Sequence, residues 1–101
     1  MNTEKNKDFY DVSALIEERF GAKGTPGRAE AEERAYAFCA GQMIEDARKK
    51  AHLTQAELAR RIGSDRAYIS RVESGKIEPK ISTFYRIMNA IGCRIELSMT
   101  P

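Results

Sequence analysis

The chain has 101 residues, 42% of them hydrophobic, and a net charge of +2, which suffices for one domain of about 60–70 residues with its own core plus a sizeable appendage. With no apolar run near the ~18 residues of a membrane span and no basic-then-apolar leader, it is expected to be cytoplasmic and free of membrane. Gly-rich phosphate loops, nucleophile motifs and His/carboxylate clusters are missing, and Cys39 and Cys93 stand without a CxxC and distant in sequence from the single histidine, His52, which argues against an enzyme, a metal site or a cofactor.

The first candidate element is Asp8 to Phe20, DFYDVSALIEERF, in which Val12, Leu15, Ile16, Arg19 and Phe20 suit a short amphipathic helix closed by Gly21. Such a helix is too short to be stable alone, so its apolar face needs either the rest of the chain or a partner. AKGTPG follows as a flexible joint. Residues 1 to 32 carry five Lys/Arg against seven Asp/Glu, giving −2, whereas residues 33 to 101 carry twelve against eight, giving +4.

From Ala29 to Ala51 the spacing of Tyr36, Ala40, Met43, Ala47 and Ala51 predicts one unusually long helix. Its second half, from Met43, is enough to complete a compact core. The half around Tyr36, Phe38 and Cys39 is expected to project beyond it. His52 then reads as a surface loop residue before Leu53.

Thr54 to Gly75, TQAELARRIGSDRAYISRVESG, is the most informative stretch. Leu58, Ala59, Ile62, Ile69 and Val72 are apolar at spacings that place them on the facing sides of two short helices crossing steeply. Thr54 is a good N-cap, and Glu57 three residues on completes a capping box. Gly63 suits the left-handed conformation that ends a helix, and Asp65, or Ser64 beside it, can cap the next. The small Ala59 lets the two helices approach. The second helix, Arg66 to Ser74, leaves Arg66, Ala67, Ser70 and Arg71 on the side away from Ile69 and Val72. These groups can read base edges: arginine presents paired donors to guanine, serine bonds several bases, and the alanine methyl touches that of thymine. The basic excess lies in this part of the chain, as phosphate neutralisation requires, and Arg60, Arg61, Lys76 and Lys80 are further candidates for phosphate contact.

After a loop containing Pro79, Ser82 is expected to cap a helix whose Phe84, Ile87, Met88 and Ile91 complete the core, with Gly92 ending it. Cys93, Ile95, Leu97 and Met99 then alternate with Arg94, Glu96 and Ser98, a period-two pattern that predicts a strand. A lone strand cannot satisfy its own backbone. The expected partner is the same strand of a second copy about a two-fold axis, giving a homodimer; a strand of another protein is the alternative.

LTQAELA, the Gly63 turn, YISRVESGK and ISTFYRIMNAIG together resemble the lambda-repressor-like, or XRE, helix-turn-helix family over Ile44 to Ile91. That resemblance implies double-stranded DNA as a partner, a phosphate contact from Gln55 at the start of the motif's first helix, and base reading by Arg66, Ala67, Ser70 and Arg71. It also pairs Arg48 with Glu73 as a partly buried, structural ion pair. More broadly, the acidic amphipathic segment followed by FGAKGTPGRAEAEERAYAF and the motif is similar to HigA-type antitoxins of toxin-antitoxin modules, whose partners are HigB/RelE-like mRNA interferases. Such toxins are basic, and the −2 charge of residues 1 to 32 together with Val12, Leu15, Ile16 and Phe20 would suit a toxin-binding surface.

The sequence therefore predicts an all-α, lambda-repressor-like bundle with a long first helix, an N-terminal amphipathic segment and a short C-terminal β-strand. Residues 1–28 form the partner-binding segment and joint, 29–92 the DNA-binding domain and 93–101 the dimerising strand. The expected function is that of a dimeric operon repressor that also neutralises a toxin by binding it; the alternative is a stand-alone, prophage-like repressor. Catalytic, metal and cofactor residues are none.

Overall fold

The computed structural model describes residues 28–99. Four helices follow one another: α1 (Arg28–Lys50), α2 (Gln55–Arg61), α3 (Arg66–Glu73) and α4 (Ile81–Ile91). The joint expected to reach residue 28 thus gives way to helix at Arg28. The amphipathic segment with Val12, Leu15, Ile16 and Phe20 lies outside the described residues.

One apolar cluster holds the bundle together. Ile44 from α1, Leu58 and Ala59 from α2, Ile62 after it, Ile69 and Val72 from α3, and Ile87, Met88 and Ile91 from α4 are all buried against one another. Burying each of the larger aliphatic side chains stabilises the fold by about 1.5–3 kcal/mol. Phe84 joins only as a half-buried neighbour of this cluster.

The face that α1 buries differs from the expected one. Tyr36 is half exposed, Met43 and Ala47 are half-buried and Ala51 is exposed, whereas Ala37, Gly41, Ile44 and Arg48 are buried. The buried stripe is displaced by one residue because two of its members, Gly41 and Arg48, are not hydrophobic and are invisible to an apolar count. Gly41 is there for lack of a side chain: a Cβ would collide with the carbonyl oxygen of Val72 and lie 2.6 Å from that of Glu73. This close approach seats α3 on α1. The first half of α1 does not simply project, since Ala31, Ala35, Ala37 and Cys39 are buried.

Local chemistry sets the helix ends. Thr54 Oγ1 accepts from the Glu57 amide at 3.0 Å while Glu57 Oε1 accepts from the Thr54 amide at 2.7 Å, a complete capping box. The bond from the Thr54 amide first, and then a side-chain hydrogen bond from Thr54 to the carboxylate, hold the Glu57 carboxyl below its usual range. At the far end of α2, Gly63 adopts φ +72°, and the Ser64 and Gly63 amides return to the carbonyls of Ala59 and Arg60. This is the Schellman arrangement, in which one left-handed residue turns the chain back on the last helical turn. The same pair of bonds ends α1, with the Leu53 and His52 amides donating to Arg48 and Lys49. There the left-handed residue is His52, at φ 60°, rather than glycine.

Two expectations fail at α4 and beyond. Ser82 lies inside α4, whose N-cap is Lys80, extended and without a side-chain capping bond, so the helix begins at Ile81, two residues earlier than a Ser82 cap would allow. Residues 93–99 form no strand. The Cys93 amide closes the end of α4 by donating to Met88 at 2.8 Å, and beyond it no backbone among the described residues offers a ladder, so the alternating pattern alone does not produce β structure. Leu97 and Met99 stand 94% and 92% exposed, which removes the expected β-strand of Cys93, Ile95, Leu97 and Met99.

Candidate nucleic-acid interface

The outward face of α3 is defined by what the inward face buries. At 100° per residue, Ile69, Val72 and Glu73 occupy one arc, and Arg66, Ala67, Ser70 and Arg71 fall within an adjoining arc of about 140°. Ile69 and Val72 are fully buried and Glu73 is 4% exposed; Arg66, Ala67 and Arg71 are exposed and Ser70 is half-buried. The expected base-reading side chains thus lie on one surface of one helix. Asp65 fixes the start of that helix, its Oδ1 accepting from the Tyr68 amide at 2.8 Å. Ser64, the other cap considered, sits in the turn.

The end of α3 is anchored by charge. Arg48 meets Glu73 through two parallel bonds, Nε to Oε2 at 2.7 Å and Nη2 to Oε1 at 3.0 Å, and its Nη1 donates to the Leu53 carbonyl at 2.9 Å. The Glu73 hydrogen bond raises the Arg48 pKa against the opposing effect of burial. A third donor reaches the same carboxylate: Gln55 Nε2 lies 3.0 Å from Glu73 Oε1. Glu73 therefore joins α1, the start of α2 and the end of α3, a junction that spacing along the chain does not reveal.

The residues expected to touch phosphate divide into groups. Gln55 is half-buried with its amide nitrogen committed to Glu73. Lys76 is exposed and its backbone amide donates to the Arg71 carbonyl at 2.9 Å, which brings it beside the last turn of α3. Lys80 is exposed at the start of α4, and Arg60 is exposed on α2. Arg61 instead turns towards α4, where Nη1 donates to the Ala90 carbonyl at 2.7 Å. Arg86 of α4 answers with Nη2 3.0 Å from the Ile62 carbonyl. These reciprocal bonds clamp the helix-turn-helix corner to α4 by capping the carbonyl-rich end of each helix with the other's guanidinium. Arg86 carried no expected role, because a pairing across 24 positions leaves no periodic mark.

Among the described residues no helix is long and apolar enough to cross a membrane, and no three His, Cys, Asp or Glu side chains cluster as a metal site. Neither Cys39 nor Cys93 forms a disulfide.

Comparison with known proteins agrees with this geometry. The helix-turn-helix family model HTH_3 matches residues 44–97. The chain is 43% identical over 47 residues to the "ImmF control region 10 kDa protein" of Bacillus phage phi105, covering 46% of this chain and 52% of that protein. It is 33% identical over 55 residues to the same phage's "Immunity repressor protein", covering 54% of this chain and 38% of that protein. An "uncharacterized HTH-type transcriptional regulator" of Archaeoglobus fulgidus is 38% identical over 53 residues, 52% of this chain and 75% of its own length. The chain thus spans about half or less of the two phage proteins it matches. No solved structure gives a significant match. A family match over more than half the chain, laid on a helix pair with a fixed corner and an outward-facing second helix, makes this chain a member of the XRE-type helix-turn-helix (HTH_3) family.

Proposed function

We propose that the protein is a sequence-specific, double-stranded-DNA-binding repressor that acts as a homodimer on two half-sites, with Arg66, Ala67, Ser70 and Arg71 reading base edges. The observation that carries this reading is the exposed arc of α3, polar and basic on one side and locked to the core on the other. Arg60, Lys76 and Lys80 are the free-standing phosphate candidates. Gln55 serves phosphate through its backbone position at the start of α2 while its side chain steadies Glu73. The phage relatives, which include an immunity repressor, favour a stand-alone regulator. Selection of binding sites from a random duplex pool tests the reading. The expected result is a two-fold-related consensus whose binding survives excess random DNA; equal affinity for all sequences refutes it.

A second reading adds toxin neutralisation. It is supported by the charge division of the chain, −2 over residues 1 to 32 against +4 over 33 to 101, which would suit a basic, RNA-cutting HigB/RelE-like partner. Deleting residues 1 to 27 separates the two functions. Under this reading the deletion abolishes neutralisation of the toxin encoded beside the chain and leaves operator binding intact; neutralisation that survives the deletion refutes the assignment to Val12, Leu15, Ile16 and Phe20.

A further inference from the structure

The first half of α1 is buried on two faces, and only one of them belongs to the core. With Ala35 taken as the origin and 100° per residue, Gly41 and Arg48, where α3 is seated, lie at about −120° and −140°, and Met43, Tyr36 and Ala40, which face α4, lie at about +80° to +140°. Ala31 and Cys39 fall within about 40° of Ala35, in the sector between those contacts. Yet Ala31, Ala35 and Cys39 are only 6%, 2% and 3% exposed. Among the described helices, α3 and α4 are the ones packed on α1, and the loop joining them runs on the core side, where Ile77 packs against the apolar cluster. Gly75 comes close to Phe38 and bounds one edge of this second face, but it has no side chain to cover it, and Ala31 lies about 10 Å further towards the start of α1. We infer that residues 8–20 of the same chain dock on the face of Ala31, Ala35 and Cys39, laying Val12, Leu15, Ile16 and Phe20 against it.

The occupant follows from where the burial is found. It holds within a single chain, so the cover is supplied in cis rather than by a second copy. The C-terminal tail does not supply it, since Leu97 and Met99 stand 94% and 92% exposed. What remains with enough length and apolar content is the chain before Arg28. At helical spacing Val12, Leu15, Ile16 and Phe20 share an arc of about 140°, and Val12 to Phe20 measures about 12 Å, the same as Ala31 to Cys39. Residues 21 to 27 join the two; extended they span up to about 25 Å, ample for the ~10 Å from Arg28 to Ala35. Connections of this length commonly join neighbouring helices that run antiparallel. Large side chains on one layer against small ones on the other is the pairing that lets two layers interdigitate. A segment too short to be stable alone thereby gains a surface to fold on. Its four apolar side chains are those considered above for a toxin, so a partner that used them would compete with α1.

The Cys39 thiol reports this cover, and the half-buried Cys93 at the end of α4 is an internal reference. Labelling of the full chain with N-ethylmaleimide, read at each cysteine by mass spectrometry, compares the native sequence with Leu15→Asp/Ile16→Asp. Because thiol labelling follows exposure, the variant is expected to raise the Cys39 rate at least about tenfold while the Cys93 rate stays within about twofold. An unchanged Cys39 rate, or a rise shared equally by Cys93, overturns the docking. A photo-reactive phenylalanine analogue at position 16, in a mixture of ordinary and nitrogen-15-labelled full-length chains, is expected to give products of monomer mass joined to residues 31–39. Products of mixed mass assign the segment to a second copy, and products joined elsewhere assign it to another face; either result overturns docking in cis. Neither measurement involves DNA or a toxin, so its failure leaves both functional readings standing.

Discussion

The Glu73 carboxylate holds the end of α3, and its removal has a size that can be worked out. It accepts three hydrogen bonds, two from Arg48 and one from Gln55, and with Arg48 8% and Glu73 4% exposed there is little water to replace them. Glu73→Leu removes all three acceptor contacts and leaves the Arg48 guanidinium buried with one hydrogen bond, to the Leu53 carbonyl, and the weaker attraction of Glu45. Charge-assisted bonds are worth about 1.5–3 kcal/mol each but do not add in a shared network. The expected loss is therefore that of a broken buried pair, about 3–5 kcal/mol. In a domain of this size each kcal/mol lowers Tm by about 4–8 °C, so calorimetry should show a fall of at least about 12 °C. Arg48→Met alone should cost a comparable amount, because it strands the carboxylate. The double variant Arg48→Met/Glu73→Leu should recover most of the loss, since both charges are gone and an apolar pair of similar volume remains. Single-variant losses under about 1 kcal/mol, the value of an exposed bridge, would refute the reasoning, as would a double variant that loses the sum of the two.

Four further outcomes follow from the same contacts. Gly41→Ala should destabilise by about 1–3 kcal/mol despite alanine's better helix propensity, because its methyl group meets the Val72 and Glu73 carbonyls; a higher melting temperature would show that α1 and α3 can part freely. His52→Gly should stabilise by about 0.5–1 kcal/mol, since His52 holds φ 60° at the end of α1, and chemical denaturation with an unchanged midpoint would contradict this. Glu57 is held below its ordinary value of 4.5 by the Thr54 bonds, so its contribution is present above that pH and disappears as pH falls through the lowered value; Glu57→Gln, which can still cap but does not titrate, should flatten that part of the acid unfolding profile. Arg71→Ala should cost about 1–3 kcal/mol in binding the selected operator with little change on random DNA, whereas equal loss on both would make Arg71 a phosphate contact.

Where chemistry acts between neighbours in sequence, the fold was legible. Thr54 and Glu57, Gly63, Asp65 and the apolar residues from Leu58 to Ile91 each announce their place through spacings of three or four, and the four helices appear with ends close to those expected. Long-range contacts left no such mark. The buried face of α1 was misread by one position because Gly41 is chosen for the proximity of Val72 and Glu73, and Arg48 for Glu73; neither has an apolar signature. The clamp of Arg61 and Arg86 on carbonyls of the opposite helix was equally hidden. Alternation at Cys93 to Met99 expresses a preference for extended backbone, but a strand also needs a hydrogen-bonding neighbour, which the described residues do not provide. Of the candidate interface, the outward arc of α3 could be read from the 3.6-residue period alone, while the commitment of Gln55 to Glu73 could not.

An eight-residue helix such as α3 has almost no helical stability by itself, so its shape as a reader is supplied from outside. Asp65 caps its first turn, Ile69 and Val72 root it in the core, Gly41 of α1 allows it to sit directly on that helix, and Arg48 and Gln55 hold its last residue from two different helices. Constraints at both ends and along one side leave α3 free to move only as a unit. Two classes of substitution are therefore distinguishable by one assay. Changes at the anchors Gly41, Arg48, Gln55 or Asp65 displace every outward side chain together, and should lower affinity for all DNA sequences with their ranking preserved. Changes at Arg66, Ala67, Ser70 or Arg71 leave the scaffold intact and, under the proposed base reading, should reorder the sequences, each altering one set of donors, acceptors or methyl contacts at one base position. An anchor substitution that reordered the sequences while the melting temperature held would mean that α3 adapts to DNA rather than meeting it as a rigid body.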